Sequence, residues 1–157
     1  MADVMTPEQR SRCMSRIRGR DTSPEILLRR ALWARGLRYK LRYRIAGKPD
    51  IVFVREKIAV FVDGCFWHCC PKHSSVPKNN ALFWQQKLHR NLERDVEVNG
   101  RLRAEGWTVI RVWEHSLRDG LQAEVASIAS IVKSSRQELK LAVPPNISCT
   151  VGLKSHF

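Results

Sequence analysis

Two short apolar runs lie side by side in the chain: IVFV at 51–54 and IAVFV at 58–62, separated only by REK at 55–57. Both are rich in β-branched and aromatic residues. Strands of that composition are buried on both faces. Three polar residues between them leave room for a reversal and little else, so the pair reads as a hairpin. A third such run, WTVIRVW at 107–113, follows a long helical segment. A sheet buried on both faces needs helices packed against it. The spacing predicts them on either side of the hairpin.

The first predicted helix has Thr6 as N-cap, Pro7 at the first helical position, Gln9 completing a capping box and Gly19 as its stop. It carries Arg10, Arg12, Arg16, Arg18 and Arg20, while only Met14 and Ile17 share an apolar face. That is too little apolar surface for a core helix, so residues 1–20 read as a basic arm. A second helix has Asp21, Thr22 and Ser23 as caps, Pro24 at its start, Glu25 in its first turn and Gly36 at its end. LRYKLRY at 37–43 alternates apolar and basic residues, the pattern of a half-buried strand. IAGKPD at 45–50 reads as a turn. From Leu82 to Ala104 the period is helical, with Leu88, Leu92 and Val96 four apart. A last helix is expected over 121–132, with Leu121, Val125, Ile128 and Val132 along one side. The expected fold is α/β: a single domain over residues 21–135, with a small mixed sheet flanked by helices. Residues 136–157 are expected to be a poorly ordered tail.

The 157 residues hold 28 Lys and Arg against 15 Asp and Glu, a net charge of +13. That excess favours a polyanionic partner, nucleic acid above all. MADVMTPEQR carries no apolar run of the signal-peptide kind, and no segment is apolar enough to span a bilayer. The chain is therefore expected in the cytoplasm, with no membrane partner. In that reducing compartment five cysteines favour metal binding or free thiols over disulfides.

Three of the cysteines fall in GCFWHCCPKH, 64–73, with two histidines and two aromatic rings. Cys65, Cys70 and His73 are spaced C-x4-C-x2-H, and His115 at the end of the third strand can complete a tetrahedral set for structural zinc. His68 and Cys69 are spare donors in the same loop. Cys69 and Cys70 are neighbours, which seldom ligate one ion together. Cys13 and Cys149 stand alone and read as non-ligands.

Asp50 opens the first buried strand. In many phosphodiesterases an acid at such a point holds a divalent cation, with a second ligand from the partner strand. A turn aspartate capping its own backbone is the competing reading. The partner strand here ends VFVDGC, so Val62 or Asp63 occupies the second position, and no lysine follows. Another group must then activate water. His68 lies just beyond the strand, and an imidazole suits general-base work near neutral pH. Asp95 on the long helix could orient it; a solvated helix charge beside Arg94 is the competing reading, and the sequence alone does not bring Asp95 to His68. Phe66 and Trp67 sit among these groups, and one of them is expected to contact bases. Phe83 is expected in the core.

Five ordered blocks resemble the very-short-patch repair endonucleases: RCMSRIRGRDTSPE (12–25), GKPDIVF (47–53), VDGCFWH (62–68), FWQQKLHRNLERD (83–95) and GWTVIRVWEHSL (106–117). The resemblance runs from the N-terminus to about residue 118. It implies a restriction-endonuclease-like fold and Mg²⁺-dependent nicking 5′ to the thymine of a T:G mismatch left by 5-methylcytosine deamination. It implies double-stranded DNA as substrate, action as a monomer, and a functional link to a DNA cytosine methyltransferase. By matching position it makes Asp50 the Mg²⁺ ligand, with the Val62 carbonyl as second ligand. It makes His68 the general base, Asp95 its support and Glu25 a residue at the site's edge. It has Phe66, Trp67 and Trp84 wedge beside the mismatch, and Met14 and Ile17 insert from the opposite groove. Asp63 is left as a further candidate for the Mg²⁺ site. The last zinc position, a cysteine in many members, is His115 here. The rival readings are a restriction-type nuclease cutting paired DNA and a non-catalytic zinc module that binds DNA.

Overall fold

The computed structural model describes residues 19–73, 76–77 and 80–142, together with Thr6, Glu8, Gln9, Arg12 and Ser15. Met14, Ile17, Cys13 and Cys149 lie outside the described residues. Among the described residues, three helices and three strands follow in the order α1 (Ser23–Ala34), β1 (Ile51–Phe53), β2 (Ile58–Asp63), α2 (Ala81–Ala104), β3 (Thr108–Trp113) and α3 (Glu114–Leu141).

The apolar runs form one mixed sheet in the order β1-β2-β3. β1 and β2 are the expected antiparallel hairpin, with Ile51 opposite Val60 and Phe53 opposite Ile58. β2 and β3 run parallel, from Ile58 opposite Thr108 to Asp63 opposite Trp113. A parallel pair needs a crossover connection, and α2 is that crossover. β2 is therefore central and buried on both faces. Ile58 and Val60 face Leu28 and Leu32 of α1 and Val125, Ile128 and Val132 of α3. Ala59 and Phe61 face the other way, onto Leu102 and Val98 of α2. The sheet is thus sandwiched, as its all-apolar strands require.

The predicted punctuation holds at several points. Thr6 and Gln9 exchange capping-box hydrogen bonds of 3.0 and 3.3 Å. Pro24 lies in the first turn of α1. Gly36 ends that helix with φ +79°, and the Leu37 amide reaches back to the Leu32 carbonyl at 3.1 Å.

Two expectations are corrected. Residues 37–43 are not a strand. Only Lys40 pairs, with Val52, through bonds of 2.8 and 2.9 Å. The alternation is real at its start, where Leu37 is buried and Tyr39 packs edge-on against Phe53. Arg42 then takes φ +55°, which ends the extended path, and Leu41 is left 44% exposed. The last helix is also far longer than 121–132. It begins at Glu114, directly after β3, bends at Gly120, and continues to Leu141. It thus enters the segment expected to be a tail by six residues, 136–141. Those turns have little apolar stripe for periodicity to detect. An Arg136–Glu56 ion pair ties them to the hairpin turn instead.

Candidate active site and metal centre

The C-terminal end of β2 organises the site. Asp50 precedes β1 and is held against β2 twice. Its amide donates to the Val60 carbonyl at 3.0 Å, and its Oδ2 accepts the Val62 amide at 2.8 Å. Burial pushes the Asp50 carboxyl up to about 6. The Val62 amide opposes that rise, the charges of Glu25 and Asp63 add to it, and Arg29 opposes it. The N–H and C=O of one strand residue point to the same side. The Val62 carbonyl therefore faces the side on which Asp50 sits.

Glu25, only 4% exposed, comes from the first turn of α1. Its carboxylate accepts three hydrogen bonds of 2.9 Å, from the Asp21 amide, the Thr22 hydroxyl and the Arg29 guanidinium. Three donors satisfy the hydrogen-bonding capacity that burial would otherwise leave unmet. Glu25, Asp50, Val62, His68, Arg94 and Asp95 line one cleft of about 480 Å³.

His68 lies in the loop after β2. Its Nδ1 is 2.6 Å from Asp95 Oδ2. A carboxylate only accepts, so Nδ1 carries the proton, and in the neutral imidazole Nε2 is then the nitrogen with the free lone pair. Asp95 reaches this loop because α2 crosses the face of the sheet carrying Ala59 and Phe61. A carboxylate fit to hold a cation and an imidazole fit to take a proton thus share one cleft. That pairing suits water attack on a phosphodiester.

Arg111 was not anticipated. It contacts Asp63 through Nη1, with both carboxylate oxygens at 2.9 Å. Its Nη2 donates to Asp95 Oδ1 at 3.0 Å and its Nε to Asn99 Oδ1 at 3.1 Å. One signal was present in the sequence: a lone arginine inside the apolar run TVIRVW.

The loop that carries His68 also carries Cys65, Cys70 and His73, three of four residues that could hold a metal ion. The donor atoms of Cys65, Cys70, His73 and His115 all lie within 4.8 Å of one another, an arrangement that could hold a metal ion. His115 Nδ1 is 3.1 Å from Cys65 Sγ and 3.6 Å from Cys70 Sγ, and His73 Nδ1 is 3.7 Å from Cys70 Sγ. The parallel pairing that sets Asp63 beside Trp113 brings these two segments together. Burial pushes the Cys65 thiol up, against the pull of its contact with His115. A bound cation would hold that sulfur as thiolate. Cys69 stands outside the four, at φ +53°.

Phe66, Trp67 and Trp84 form one cluster, with ring centroids 5.0 to 6.0 Å apart. Trp84 is its buried base, 9% exposed, and Phe66 and Trp67 are half-buried. Phe83 is 57% exposed, so it is not a core residue. One helical position from Trp84, it points off the buried face. The Lys87 ammonium lies 5.3 to 5.8 Å from the rings of Trp67, Trp84 and Phe83. On the other flank of Asp50 a cleft of about 610 Å³ is lined by Arg20, Arg42, Arg44, Lys48 and Arg101. No helix among the described residues is long and apolar enough to cross a membrane.

Comparison with known proteins shows the family. The family model described as DNA mismatch endonuclease Vsr matches residues 2–74. The chain is 47% identical over 118 residues to the Type II nicking enzyme V.NmeDIP of Neisseria meningitidis serogroup C, covering 73% of this chain and 80% of that protein. It is 47% identical over 126 residues to the Type II nicking enzyme V.NaeI of Lentzea aerocolonigenes, covering 76% of each. It is 38% identical over 120 residues to the DNA mismatch endonuclease Vsr of Escherichia coli (strain K12), covering 75% of this chain and 77% of that protein.

Proposed function

Because this chain belongs to the Vsr family of DNA mismatch endonucleases, we propose that it nicks double-stranded DNA 5′ to the thymine of a T:G mismatch, with Mg²⁺ at Asp50. The observation that carries the proposal is the single cleft in which Asp50 faces the His68–Asp95 pair.

The residues present fit both metals. Asp50 is a largely buried carboxylate whose ionisation a cation would favour, and the Val62 carbonyl beside it would be the second ligand. When bound, Mg²⁺ neutralises charge on the scissile phosphate. His68 Nε2 takes the proton of the attacking water, and Asp95 keeps Nδ1 protonated and the ring aimed. Glu25 bounds the cleft and accepts from Arg29. For the second centre, Zn–N near 2.0 Å and Zn–S near 2.3 Å in a tetrahedron put ligand atoms about 3.3–3.8 Å apart. The sulfur–nitrogen separations of 3.6 and 3.7 Å fall in that range and the third, 3.1 Å, lies just below it, which supports zinc at Cys65, Cys70, His73 and His115. Four protein ligands leave no open position, so this zinc is structural. Held by Cys65, Cys70, His73 and His115, such an ion would anchor the loop whose Phe66 and Trp67 lie over the buried Trp84 and are presented beside the mispair. Met14 and Ile17 of the basic arm enter from the opposite groove.

A mismatch-containing supercoiled plasmid tests the reading against a restriction-type enzyme. Nicking leaves a relaxed circle; a linear product, or equal cutting of the fully paired plasmid, contradicts it. A non-catalytic zinc module would leave the plasmid intact at any Mg²⁺ concentration. His68→Ala is expected to slow nicking about 10²–10⁴-fold in single-turnover assays, with DNA affinity little changed. An unaltered rate removes His68 from the mechanism. Affinity should also fall steeply with salt. For roughly six neutralised phosphates the log–log slope is about −5. A flat response in a fluorescence titration contradicts an electrostatic interface along Arg20, Arg42, Arg44, Lys48 and Arg101.

A further inference from the structure

We infer that Arg111 is a positioning residue for the His68–Asp95 pair, and that Asp63 anchors Arg111 rather than binding the catalytic cation. The inference rests on His68 and Asp95 acting as the water-activating pair.

All three guanidinium nitrogens of Arg111 are engaged. Its Nε is held by Asn99, its Nη1 by both oxygens of Asp63, and its Nη2 by Asp95. Its guanidinium carbon lies 4.8 Å above the Phe61 ring, which supports it from below. A planar fork fixed at this many points has one orientation. Asp95 is then gripped from both sides: Oδ1 accepts from Arg111, and Oδ2 accepts from His68 Nδ1 at 2.6 Å. Neither oxygen can swing away without breaking the other bond. Asn99 and Asp95 are four apart on α2, so one arginine on β3 registers a whole helical face against the His68 loop.

Asp63 completes the device. It is buried, and both of its oxygens already receive Arg111 Nη1. Its Oδ1 is 3.8 Å from His68 Nδ1, well beyond the 2.6 Å of Asp95. Asp63 therefore offers charge near the imidazole, while Asp95 makes the hydrogen bond. Two carboxylates beside one imidazole could compete for its Nδ1 proton. By engaging both oxygens of Asp63, Arg111 leaves Asp95 as the single partner and fixes the tautomer.

The test uses single-turnover nicking, DNA affinity, the Mg²⁺ concentration at half-maximal rate, and ¹⁵N-histidine NMR of the full chain. Arg111→Met is expected to lower the nicking rate about 10–100-fold, as loss of an orienting partner does elsewhere. DNA affinity should barely change, and the hydrogen-bonded His68 Nδ1–H resonance should be lost. An unchanged rate with that resonance intact overturns the inference. The double variant Asp63→Asn with Arg111→Met leaves no uncompensated Asp63 charge, so it decides the matter even if Arg111→Met alone does not fold. A rate as low as that expected for the single variant supports positioning. Recovery to the rate of Asp63→Asn alone overturns it, because Arg111 would then be only a counter-ion. For Asp63→Asn alone the half-maximal Mg²⁺ concentration should not move; a rise of about tenfold or more makes Asp63 a cation ligand instead. Normal nicking by His68→Ala would sink the underlying assignment of the base, a different outcome from any of these.

Discussion

Asp50→Asn is expected to abolish Mg²⁺-dependent nicking, to leave mismatch binding intact, and to make the metal-free fold more stable at neutral pH. The last effect separates a cation-binding carboxylate from a merely structural one. In the folded chain burial raises the Asp50 carboxyl to about 6. In the unfolded chain it has an ordinary value near 3.9. The folded state therefore holds the Asp50 proton more tightly than the unfolded state does. Below about pH 4 the group is neutral in both states and carries no penalty. As pH rises through 6 the penalty grows to full size, roughly 2–3 kcal/mol for a shift of about two units. Asparagine removes the charge and retains an oxygen to accept the Val62 amide. At pH 7.5 the variant should melt about 5–10 °C above the metal-free wild type, and at pH 4 the two should melt together. Mg²⁺ should raise the melting point of the wild type only. A variant that still nicks with Mg²⁺, or gains as much stability from it, removes Asp50 from the cation site.

Cys70→Ala is expected to have the largest effect on the fold. Cys70 is fully buried and is one of four residues that could hold a metal ion, which would pin the loop from Cys65 to His73 onto the start of α3. Structural zinc contributes on the order of 10 kcal/mol in small domains. The sheet and its helices form a core of their own here, so the chain should not unfold outright. The loop, however, carries His68, Phe66 and Trp67. Loss of the metal should lower the melting point by more than about 10 °C and suppress nicking together with mismatch binding. Elemental analysis of the wild type should find about one equivalent of zinc. A zinc-free protein with full stability and activity would refute the centre.

Much of this was legible along the chain, for identifiable reasons. The hairpin could be read because its runs have no polar face to offer water. Cys65, Cys70 and His73 fall within one loop, and His115 follows the strand that pairs beside it. That grouping needs only the parallel alignment of β2 with β3. Other features depend on contacts that local sequence does not encode. LRYKLRY alternates as a strand does, but its path is broken by a non-glycine residue at positive φ, for which sequence carries no mark. The end of α3 has no apolar stripe and is held through Arg136 and Glu56, distant in sequence. Phe83 and Trp84 are equally aromatic, and only the placement of α2 decides which is buried. Asp63 could not be assigned alone, because its partner Arg111 lies on another strand.

The most direct test of the function is nick mapping on end-labelled duplexes that differ at one base pair. Each strand is followed separately, and the flanking sequence is varied. With Mg²⁺, the T:G duplex should yield one product, cut 5′ to the mispaired thymine, with the guanine strand whole. The T:A and C:G duplexes should stay intact. Cleavage of the paired duplexes at a comparable rate, or of both strands at the mismatch, would contradict the assignment.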